Sequence, residues 1–511
     1  MLPPPCRTRL PLSFTALAAL AFVGACGSAP DRPTGGLLFR NAELIDGTGA
    51  AGRVVDVRIR GDRVVEIGDL TLQAGETDVD ATGLVLAPGF IDTHSHHDRG
   101  LTESPDALAA VSQGITTIIA GQDGGSPLPL ADFYAELEAT PVAINVAAYA
   151  GHNSLRSAVM GDDFRREATP EEVEDMRRLL RRELDAGALG LSTGLEYDPG
   201  IYSAPEEVVA LAREVAIVGG RYISHMRSED RAFFEALGEL IDIGRKTGIP
   251  VQVSHMKLAM RSLWGRADEA LALLEDARAE GVDVTADVYP YEFWQSTMTV
   301  LFPDRAFTRE AAAFALDELA PPEGMIIAAF EPEPSYVGMT LAEIAEERGK
   351  DPVTVYLELI EEADAIDGRE SIIARSMTTQ DIATLLSWPF TNVSSDGSLA
   401  GRHPRGFGAF TRVLAYHVRE RGDFSLETAI HKMTALAAEN TGLSGRGTIL
   451  EGAFADLVLF DPATVADRAT PTNPNAPSVG IVGVWVNGEQ VYSEEGTTEN
   501  RPGRVLRRGE L

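Results

Sequence analysis

Residues 84–96 read LVLAPGFIDTHSH, an apolar run that ends in two histidines separated by one residue. A short apolar run with branched side chains favours a buried strand. Because alternate side chains of an extended strand point the same way, His94 and His96 are expected to share one face at its carboxyl end. Two imidazoles placed together at a strand end indicate a candidate metal site.

Apolar strands of this kind recur along the middle of the chain, and helical stretches separate them. Thr169-Pro170-Glu171-Glu172 predicts a helix start, as does Ser203 followed by Glu206 and Glu207. The alternation predicts a parallel sheet with both faces covered, and eight units favour a (β/α)8 TIM barrel over an open sheet. The eight predicted strands are 84–92, 115–120, 142–148, 189–191, 221–224, 250–254, 282–288 and 390–394.

The two ends of the chain differ from the middle. Residues 37–86 and 447–511 hold short alternating runs divided by turn signals, so they are predicted to form one small β-sandwich beside a barrel at 87–446. Between the seventh and eighth strands lie about a hundred residues, more than an ordinary connection needs. We therefore expect an inserted lid at about 294–362, over the barrel mouth.

The first 26 residues resemble a bacterial lipoprotein signal. Arg7 and Arg9 precede an apolar run at 12–23, and Val-Gly-Ala-Cys ends at Cys26. We expect cleavage before Cys26, lipidation of its thiol and a flexible tether at 27–36. No aspartate follows Cys26 directly, which favours the outer membrane, facing the periplasm. A plain signal peptide or an uncleaved anchor is the alternative.

Cysteine usage and charge restrict the chemistry. Cys6 and Cys26 are the only cysteines, so a chain cleaved before Cys26 has no internal disulfide and no thiolate nucleophile or thiolate ligand in its fold. The formal charge of −33 argues against nucleic acid and anionic headgroups as partners. We expect a small-molecule substrate, with membrane contact only through the lipid anchor, and leave the oligomeric state open.

Further candidate ligands stand at the ends of other predicted strands. His225 ends the fifth strand, His255 the sixth and Asp396 the eighth. Catalytic groups of such barrels lie at the carboxyl ends of the strands. A lone histidine is more often a hydrogen-bonded core residue, but four histidines with a carboxylate suit zinc, and a second metal is compatible with that number.

The segment PGFIDTHSH at 88–96, with His225, His255 and Asp396, resembles the metal site of the amidohydrolase superfamily. Asp80–Gly83 and Gly447–Asp461 extend the similarity toward both ends. Finer motifs are similar to those of the N-acyl-D-amino-acid deacylases (D-aminoacylases). They are GHNSLR at 151–156, GLSTGL at 190–195, YSAPE at 202–206, SHMK at 254–257, DVYPY at 287–291, STM at 296–298, SDG at 395–397 and HPR at 403–405.

The resemblance implies zinc-dependent hydrolysis of N-acyl-D-amino acids to a carboxylate and a free D-amino acid. It implies that His225 and His255 hold a tightly bound Zn²⁺, and that His94 and His96 belong to a second, weaker site. Asp396 is the implied general base and acid, taking a proton from a water activated by zinc and passing it to the leaving nitrogen.

The same resemblance assigns the substrate contacts. Arg405 is the implied clamp for the substrate carboxylate, a task suited to a guanidinium fork. Lys257, Tyr289 and Ser296 match motif positions near the substrate, although packing, turn and surface roles are equally open for them. His152 is expected to support the site without binding metal. His97, His417 and His431 are interpreted as structural or exposed.

Two positions depart from related enzymes. The deacylases carry a Gly-Asn-Cys-Gly turn after the second strand, whose cysteine bridges the metals, whereas this chain has Gly121-Gln122-Asp123-Gly124. Asp123 is then the best remaining candidate for a bridging ligand, although it would equally suit a simple turn cap. The fourth strand ends Ser192-Thr193-Gly194 without lysine, which disfavours the carbamylated-lysine arrangement of dihydroorotases and hydantoinases.

Three alternatives stay open at this point. A related hydrolase would cleave dipeptides with a C-terminal D-residue, or cyclic amides, in the same pocket. A lactonase or deaminase of the superfamily is disfavoured by the Arg405 motif. A non-catalytic binding lipoprotein is disfavoured by the intact set of four histidines and Asp396.

Overall fold

The computed structural model describes residues 35–510, so Cys26, the predicted signal and most of the tether lie outside the described residues. The strands are β1 (Leu37–Leu44), β2 (Arg53–Arg60), β3 (Arg63–Gly68), β4 (Thr77–Asp80), β5 (Val85–Pro88), β6 (Phe90–Asp92), β7 (Ile115–Ala120), β8 (Asn145–Ala148), β9 (Ala150–Gly151), β10 (Gly190–Gly194), β11 (Arg221–His225), β12 (Val251–Val253), β13 (Val284–Val288), β14 (Phe293–Ser296), β15 (Met325–Phe330), β16 (Glu370–Arg375), β17 (Thr391–Val393), β18 (Leu457–Phe460), β19 (Ile481–Val486), β20 (Glu489–Ser493) and β21 (Gly496–Thr497).

The α-helices lie between these strands and beside them. They are α1 (Leu108–Val111), α2 (Leu130–Ala139), α3 (His152–Met160), α4 (Pro170–Asp185), α5 (Pro205–Ile217), α6 (Phe233–Thr247), α7 (Ala267–Ala279), α8 (Arg309–Phe314), α9 (Leu341–Arg348), α10 (Pro352–Asp364), α11 (Thr379–Ser387), α12 (Arg405–Arg412), α13 (Leu426–Met433) and α14 (Ala435–Thr441). Within residues 35–510, none of the helices is both long and apolar enough to cross a membrane.

The central strands form the predicted barrel. They pair in parallel in two runs, β6-β7-β8 and β9-β10-β11-β12-β13-β17, and a single residue separates β8 from β9. The backbone N–H of Asp396, just after β17, donates to the carbonyl of His94, just after β6, at 2.9 Å. The last strand therefore meets the first, as a closed (β/α)8 barrel requires.

The predicted strand at 84–92 is two strands, and this part of the prediction was wrong. β5 pairs with β1 and β18 in the outer sheet, whereas β6 pairs with β7 in the barrel. Gly89 lies between them, and a Cβ there would come within 2.3 Å of the Thr116 side chain. Only glycine allows so close an approach, so the chain crosses from one sheet to the other at this residue.

Strands from both chain ends form one nine-stranded sheet. Its order is β21-β20-β19-β18-β5-β1-β2-β3, and β4 also pairs with β1. Side chains from both ends pack in one apolar cluster, in which the rings of Phe39 and Trp485 meet edge to face at 4.9 Å. The two ends of the chain therefore share a hydrophobic core beside the barrel.

A second small unit is inserted between β13 and β17. Strands β14, β15 and β16 form an antiparallel sheet in which β16 is central, and α8, α9 and α10 lie within the same stretch. The unit extends to Arg375, beyond the expected boundary near residue 362. The later boundary follows from the pairing, because β14 and β15 are joined only through β16.

Candidate active site

Four histidines and two aspartates meet at the carboxyl ends of the barrel strands. Ligand atoms of His94, His96, Asp123 and Asp396 lie within 4.8 Å of one another, and so do those of Asp123, His225 and His255. His225 ends β11, and the others follow β6, β7, β12 and β17. The structure thus brings together the five predicted metal ligands and the predicted catalytic carboxylate.

Asp123 lies between the two groups. Its Oδ1 is 3.2 Å from His255 Nε2 and 3.4 Å from His94 Nε2, and its Oδ2 is 3.2 Å from His96 Nε2. Within the described chain, its carboxylate forms hydrogen bonds with imidazoles and with no backbone N–H of its turn. This placement favours a ligand shared by both groups over a turn cap.

Three residues of this cluster have left-handed backbone conformations. The φ angles are 54° at Asp123, 35° at His255 and 46° at Asp396. Such a conformation costs a residue other than glycine about 1–3 kcal/mol and persists only where packing enforces it. Strain at three neighbouring candidate ligands is therefore an independent sign that their placement serves a function.

The residues present fit a divalent metal. His94 is buried, and neither of its ring nitrogens has a hydrogen-bond partner among residues 35–510. A buried polar atom without a partner is unfavourable unless something else satisfies it. Imidazole nitrogens and carboxylate oxygens are the donors that Zn²⁺ and similar ions take.

Carboxylates set the electrostatics of the cluster. Burial opposes a charge on His94, yet Asp123 and Asp287 hold the pKa of His94 well above its ordinary value. Burial also opposes a charge on Asp123, yet His94 and His255 hold the pKa of Asp123 well below its ordinary value. The site therefore attracts cations, and a metal would compete with protons for the same imidazoles.

Asp396 connects the cluster to a cation. Its Oδ1 is 3.3 Å from His96 Nε2, and its Oδ2 is 2.6 Å from a guanidinium nitrogen of Arg405, at the start of α12. Burial would raise the pKa of Asp396, but Arg405 and His255 hold it well below its ordinary value. Asp396 is thus a carboxylate, the form that accepts a proton.

A cavity opens beside this pair. The predicted substrate residues Arg405, Lys257 and Ser296 line it, and Tyr289 lies behind them with its ring 4.7 Å from the Arg405 guanidinium carbon. Within the described part of the chain, the Arg405 Nε and the Tyr289 hydroxyl have no hydrogen-bond partner. The inserted unit supplies much of the wall, through Trp294, Gln295, Ser296, Val300, Leu301 and Leu319.

Two site residues were not predicted, Glu196 and Glu229. Glu196 follows β10 by two residues, and Glu229 follows His225 by four. Glu229 accepts from Lys257 Nζ at 2.5 and 2.6 Å, so the predicted substrate lysine is ion-paired. An acidic residue soon after a barrel strand was the available signal, but acidic residues are common in such loops.

The remaining histidines lie outside the cluster. His152 Nε2 is 2.8 Å from Glu207, which also binds Arg156, and none of the three groups of metal-type ligands among the described residues contains His152. His97 is buried, with its ring nitrogens near the Ser95 hydroxyl and the Gly406 carbonyl. His417 forms a hydrogen bond with Asp423, and His431 forms one with the Gly47 carbonyl.

Comparison with known proteins assigns the chain to a family. Residues 78–320 and 298–492 match the amidohydrolase family. The chain belongs to that family. This amidohydrolase is 40% identical over 497 residues to a D-aminoacylase from Alcaligenes xylosoxydans xylosoxydans, covering 92% of this chain and 97% of that protein. It is 38% identical over 496 residues to an N-acyl-D-glutamate deacylase from the same organism, covering 92% and 96%.

A solved structure agrees with these matches. The N-acyl-D-glutamate deacylase of Bordetella bronchiseptica, crystallised with zinc and a phosphonate that mimics the tetrahedral intermediate, is 37% identical to this amidohydrolase. The TM-score is 0.83, and the match covers 92% of this chain and 99% of that one. The resemblance to the N-acyl-D-amino-acid deacylases is confirmed.

Proposed function

We propose that this amidohydrolase cleaves the amide bond of N-acyl-D-amino acids, releasing a carboxylate and a free D-amino acid. The contacts of Asp396 carry the proposal, because one of its oxygens faces the imidazole cluster and the other faces the Arg405 guanidinium. An amide with a neighbouring α-carboxylate has the two matching groups, a carbonyl to activate and an anion to bind. The named activities of the relatives support this substrate class.

The proposed metal is Zn²⁺. His225 and His255 would hold the tightly bound ion, His94 and His96 a weaker one, and Asp123 would serve both. When bound, the ion supplies Lewis acidity toward the amide carbonyl and lowers the pKa of water.

The chain's own groups move the protons. The Asp396 carboxylate accepts a proton from the attacking water as the new carbon–oxygen bond forms. It then donates that proton to the amide nitrogen as the carbon–nitrogen bond breaks, so the leaving group departs as a neutral amine. Arg405 binds the α-carboxylate through two N–H donors and orients the amide, and the inserted unit limits access of other water.

The lining of the cavity favours a neutral, apolar side chain on the substrate. Trp294, Val300, Leu301 and Leu319 supply apolar surface. Of the two cations in its lining, Lys257 already pairs with Glu229, and Arg405 is the one that binds the α-carboxylate. The second carboxylate of an N-acyl-D-glutamate would meet Glu196 and Asp230 without a free cation among the lining residues, so we expect D-leucine or D-methionine derivatives to be preferred.

A substrate panel on the zinc-loaded protein tests the proposal. We expect turnover of N-acetyl-D-leucine, with N-acetyl-L-leucine and N-acetyl-D-glutamate slower by at least about tenfold in kcat/KM. Asp396→Asn is the matched control, and it should abolish turnover because the amide cannot accept the proton. Turnover of D-residue dipeptides or cyclic amides alone would show that the protein is the related hydrolase. Tight substrate binding without any turnover would show that it is a binding lipoprotein.

We also propose export and lipid anchoring through Cys26, which the signal-like residues before it support. Labelled palmitate should enter the expressed protein, and Cys26→Ala should abolish labelling and release protein from the membrane fraction. Unchanged labelling of the variant would contradict the anchor.

A further inference from the structure

Two buried glutamates contact the site histidines on the side away from the imidazole cluster. Glu196 and Glu229 are each 7% exposed. Glu196 stands after β10 and reaches His225 on the neighbouring β11, whereas Glu229 reaches His255. Neither glutamate has a part in the proton transfers described above.

The ring nitrogens of the two histidines have distinct surroundings. His225 Nδ1 and His255 Nε2 face each other at 3.1 Å, and His255 Nε2 is 3.2 Å from Asp123 Oδ1. These two nitrogens face the proposed metal position. On the opposite side, His225 Nε2 is 3.0 Å from Glu196, and His255 Nδ1 is 3.0 Å from Glu229 and 2.8 Å from Lys257 Nζ, which itself pairs with Glu229.

We propose that Glu196 is a positioning residue that accepts the N–H of His225 Nε2 and leaves Nδ1 free to bind metal, and that Glu229, paired with Lys257, positions the His255 ring. The inference rests on the proposed function, since it takes His225 and His255 as ligands. An imidazole binds metal through an unprotonated nitrogen, so a carboxylate on the other nitrogen fixes the tautomer and the ring orientation. It also makes the imidazole a stronger donor to the metal.

The other two histidines lack such a partner. His94 Nδ1 is 3.8 Å from Asp287, which is too long for a hydrogen bond. His96 contacts carboxylates only through Nε2, at Asp123 and Asp396, among the hydrogen bonds and ion pairs of the described chain. The support is therefore unequal, and this gives a physical reason for a tight site at His225 and His255 and a weaker one at His94 and His96.

A different role for the same residues is a separate metal site. Glu196, His225 and Glu229 offer three ligand atoms within 4.8 Å of one another. However, Lys257 Nζ lies 2.5 and 2.6 Å from the two oxygens of Glu229. An ammonium on that carboxylate opposes a cation there, which favours the positioning role.

Glu229 differs from Glu196 in serving two partners. It holds His255 and also Lys257, which lines the substrate cavity. Its loss should therefore disturb both metal binding and substrate binding. Loss of Glu196, which contacts His225 and accepts the Glu229 N–H at 3.5 Å but does not pair with Lys257, should act mainly on metal binding.

The test measures zinc affinity and metal content, separately from activity, for Glu196→Gln, Glu196→Ala and Glu229→Gln. Competition with a chromophoric chelator gives the affinity. We expect zinc binding to weaken about 10–100-fold in Glu196→Ala, and less in the Gln variants, which keep an acceptor oxygen but lose the charge. Glu214→Gln is the matched control, because Glu214 is equally buried on α5 but pairs with Arg177 and Arg181.

Kinetics at saturating zinc separate the two glutamates. Glu229→Gln should raise KM for N-acetyl-D-leucine more than Glu196→Gln does, because Glu229 also pairs with the cavity lysine Lys257. If Glu196→Ala fails to fold by circular dichroism, the two Gln variants decide the question.

Three results would overturn the inference. The first is wild-type zinc affinity in every folded variant, and the second is an equal loss of affinity in Glu214→Gln. The third is a third bound zinc ion in the wild-type protein that the glutamate variants lose. Failure of the proposed function looks different, because the wild-type protein would then bind zinc with the expected dependence on Glu196 but hydrolyse no N-acyl-D-amino acid.

Discussion

At the residue scale, Asp123 is the position where this chain departs from the cysteine-containing turn of related deacylases. Its carboxylate contacts imidazoles of both ligand groups. We expect Asp123→Ala to lose bound metal and most activity, and Asp123→Cys to retain part of both, because a thiolate can also bridge metals. Metal content and kcat should be measured side by side. Wild-type metal content and rate in the alanine variant would make Asp123 a turn residue.

Arg405 supports a second prediction. Arg405→Lys keeps the charge but cannot bind a carboxylate through two parallel N–H donors. We expect kcat/KM for N-acyl-D-amino acids to fall at least tenfold, because a hydrogen bond to a charged group contributes about 1.5–3 kcal/mol. The fall should be much smaller for N-acyl amines that lack the carboxylate. Equal losses on both substrates would mean that Arg405 only holds Asp396 in place.

At the scale of elements, helix starts show how far local sequence reaches. The predicted start at Thr169 is confirmed, since Thr169 and Glu172 form a reciprocal capping box at the start of α4. The predicted start at Ser203 was wrong, because α5 begins at Pro205 after Ala204. The Ser203 hydroxyl instead donates to the Gly200 carbonyl at 2.6 Å. A serine hydroxyl can serve nearby carbonyls as well as a helix start, and the sequence does not distinguish the two.

Strand β16 of the inserted unit supports a prediction about pH. Burial raises the pKa of Glu370 to about 7 from an ordinary 4.5, although its carboxyl accepts the Met298 N–H at 2.7 Å. The folded state therefore binds a proton between pH 4.5 and 7 that the unfolded chain has released. The contribution of this carboxyl group to the free energy of unfolding is therefore fully present below pH 4.5 and is lost as the pH rises through 7.

Glu370→Gln should remove this loss while keeping an acceptor for Met298. At pH 8 we expect the free energy of unfolding of the inserted unit to rise by about 1–2 kcal/mol, and at pH 4 to change little. Hydrogen exchange of the amides in β14, β15 and β16 at the two pH values measures this free energy. The exposed Glu347→Gln is the control, and an equal gain at both pH values would contradict the burial argument.

At the scale of the whole molecule, the metal should hold the barrel together. The candidate ligands follow β6, β7, β11, β12 and β17, which are far apart in the chain. A metal that binds only the folded arrangement stabilises it by about 2.7 kcal/mol at a free concentration one hundred times its Kd. Chelation should therefore lower the midpoint of thermal unfolding, and added zinc should restore it. The unfolding midpoint of His255→Ala should change little with chelator or with added zinc. A wild-type midpoint that chelation does not change would contradict a metal bound by residues from several strands.

The sequence by itself was sufficient to predict the barrel and the cluster of four histidines with Asp396. Strand periodicity is local, and parallel barrel strands place their carboxyl ends at one mouth, so residues at strand ends can be assigned to one site before any distance is known. His94, His225 and Asp396 were all found in this way.

Only the tertiary structure decided which side chains pair within that site. Two of these contacts join segments at the ends of different strands, Glu196 with His225 and Glu229 with Lys257. A third joins Asp396, just after β17, to Arg405 at the start of α12. The crossing of the chain between two sheets at Gly89 likewise depends on Thr116 of a neighbouring strand. Such contacts depend on how the barrel closes and how its loops pack, and periodicity along the chain carries no information about these distances.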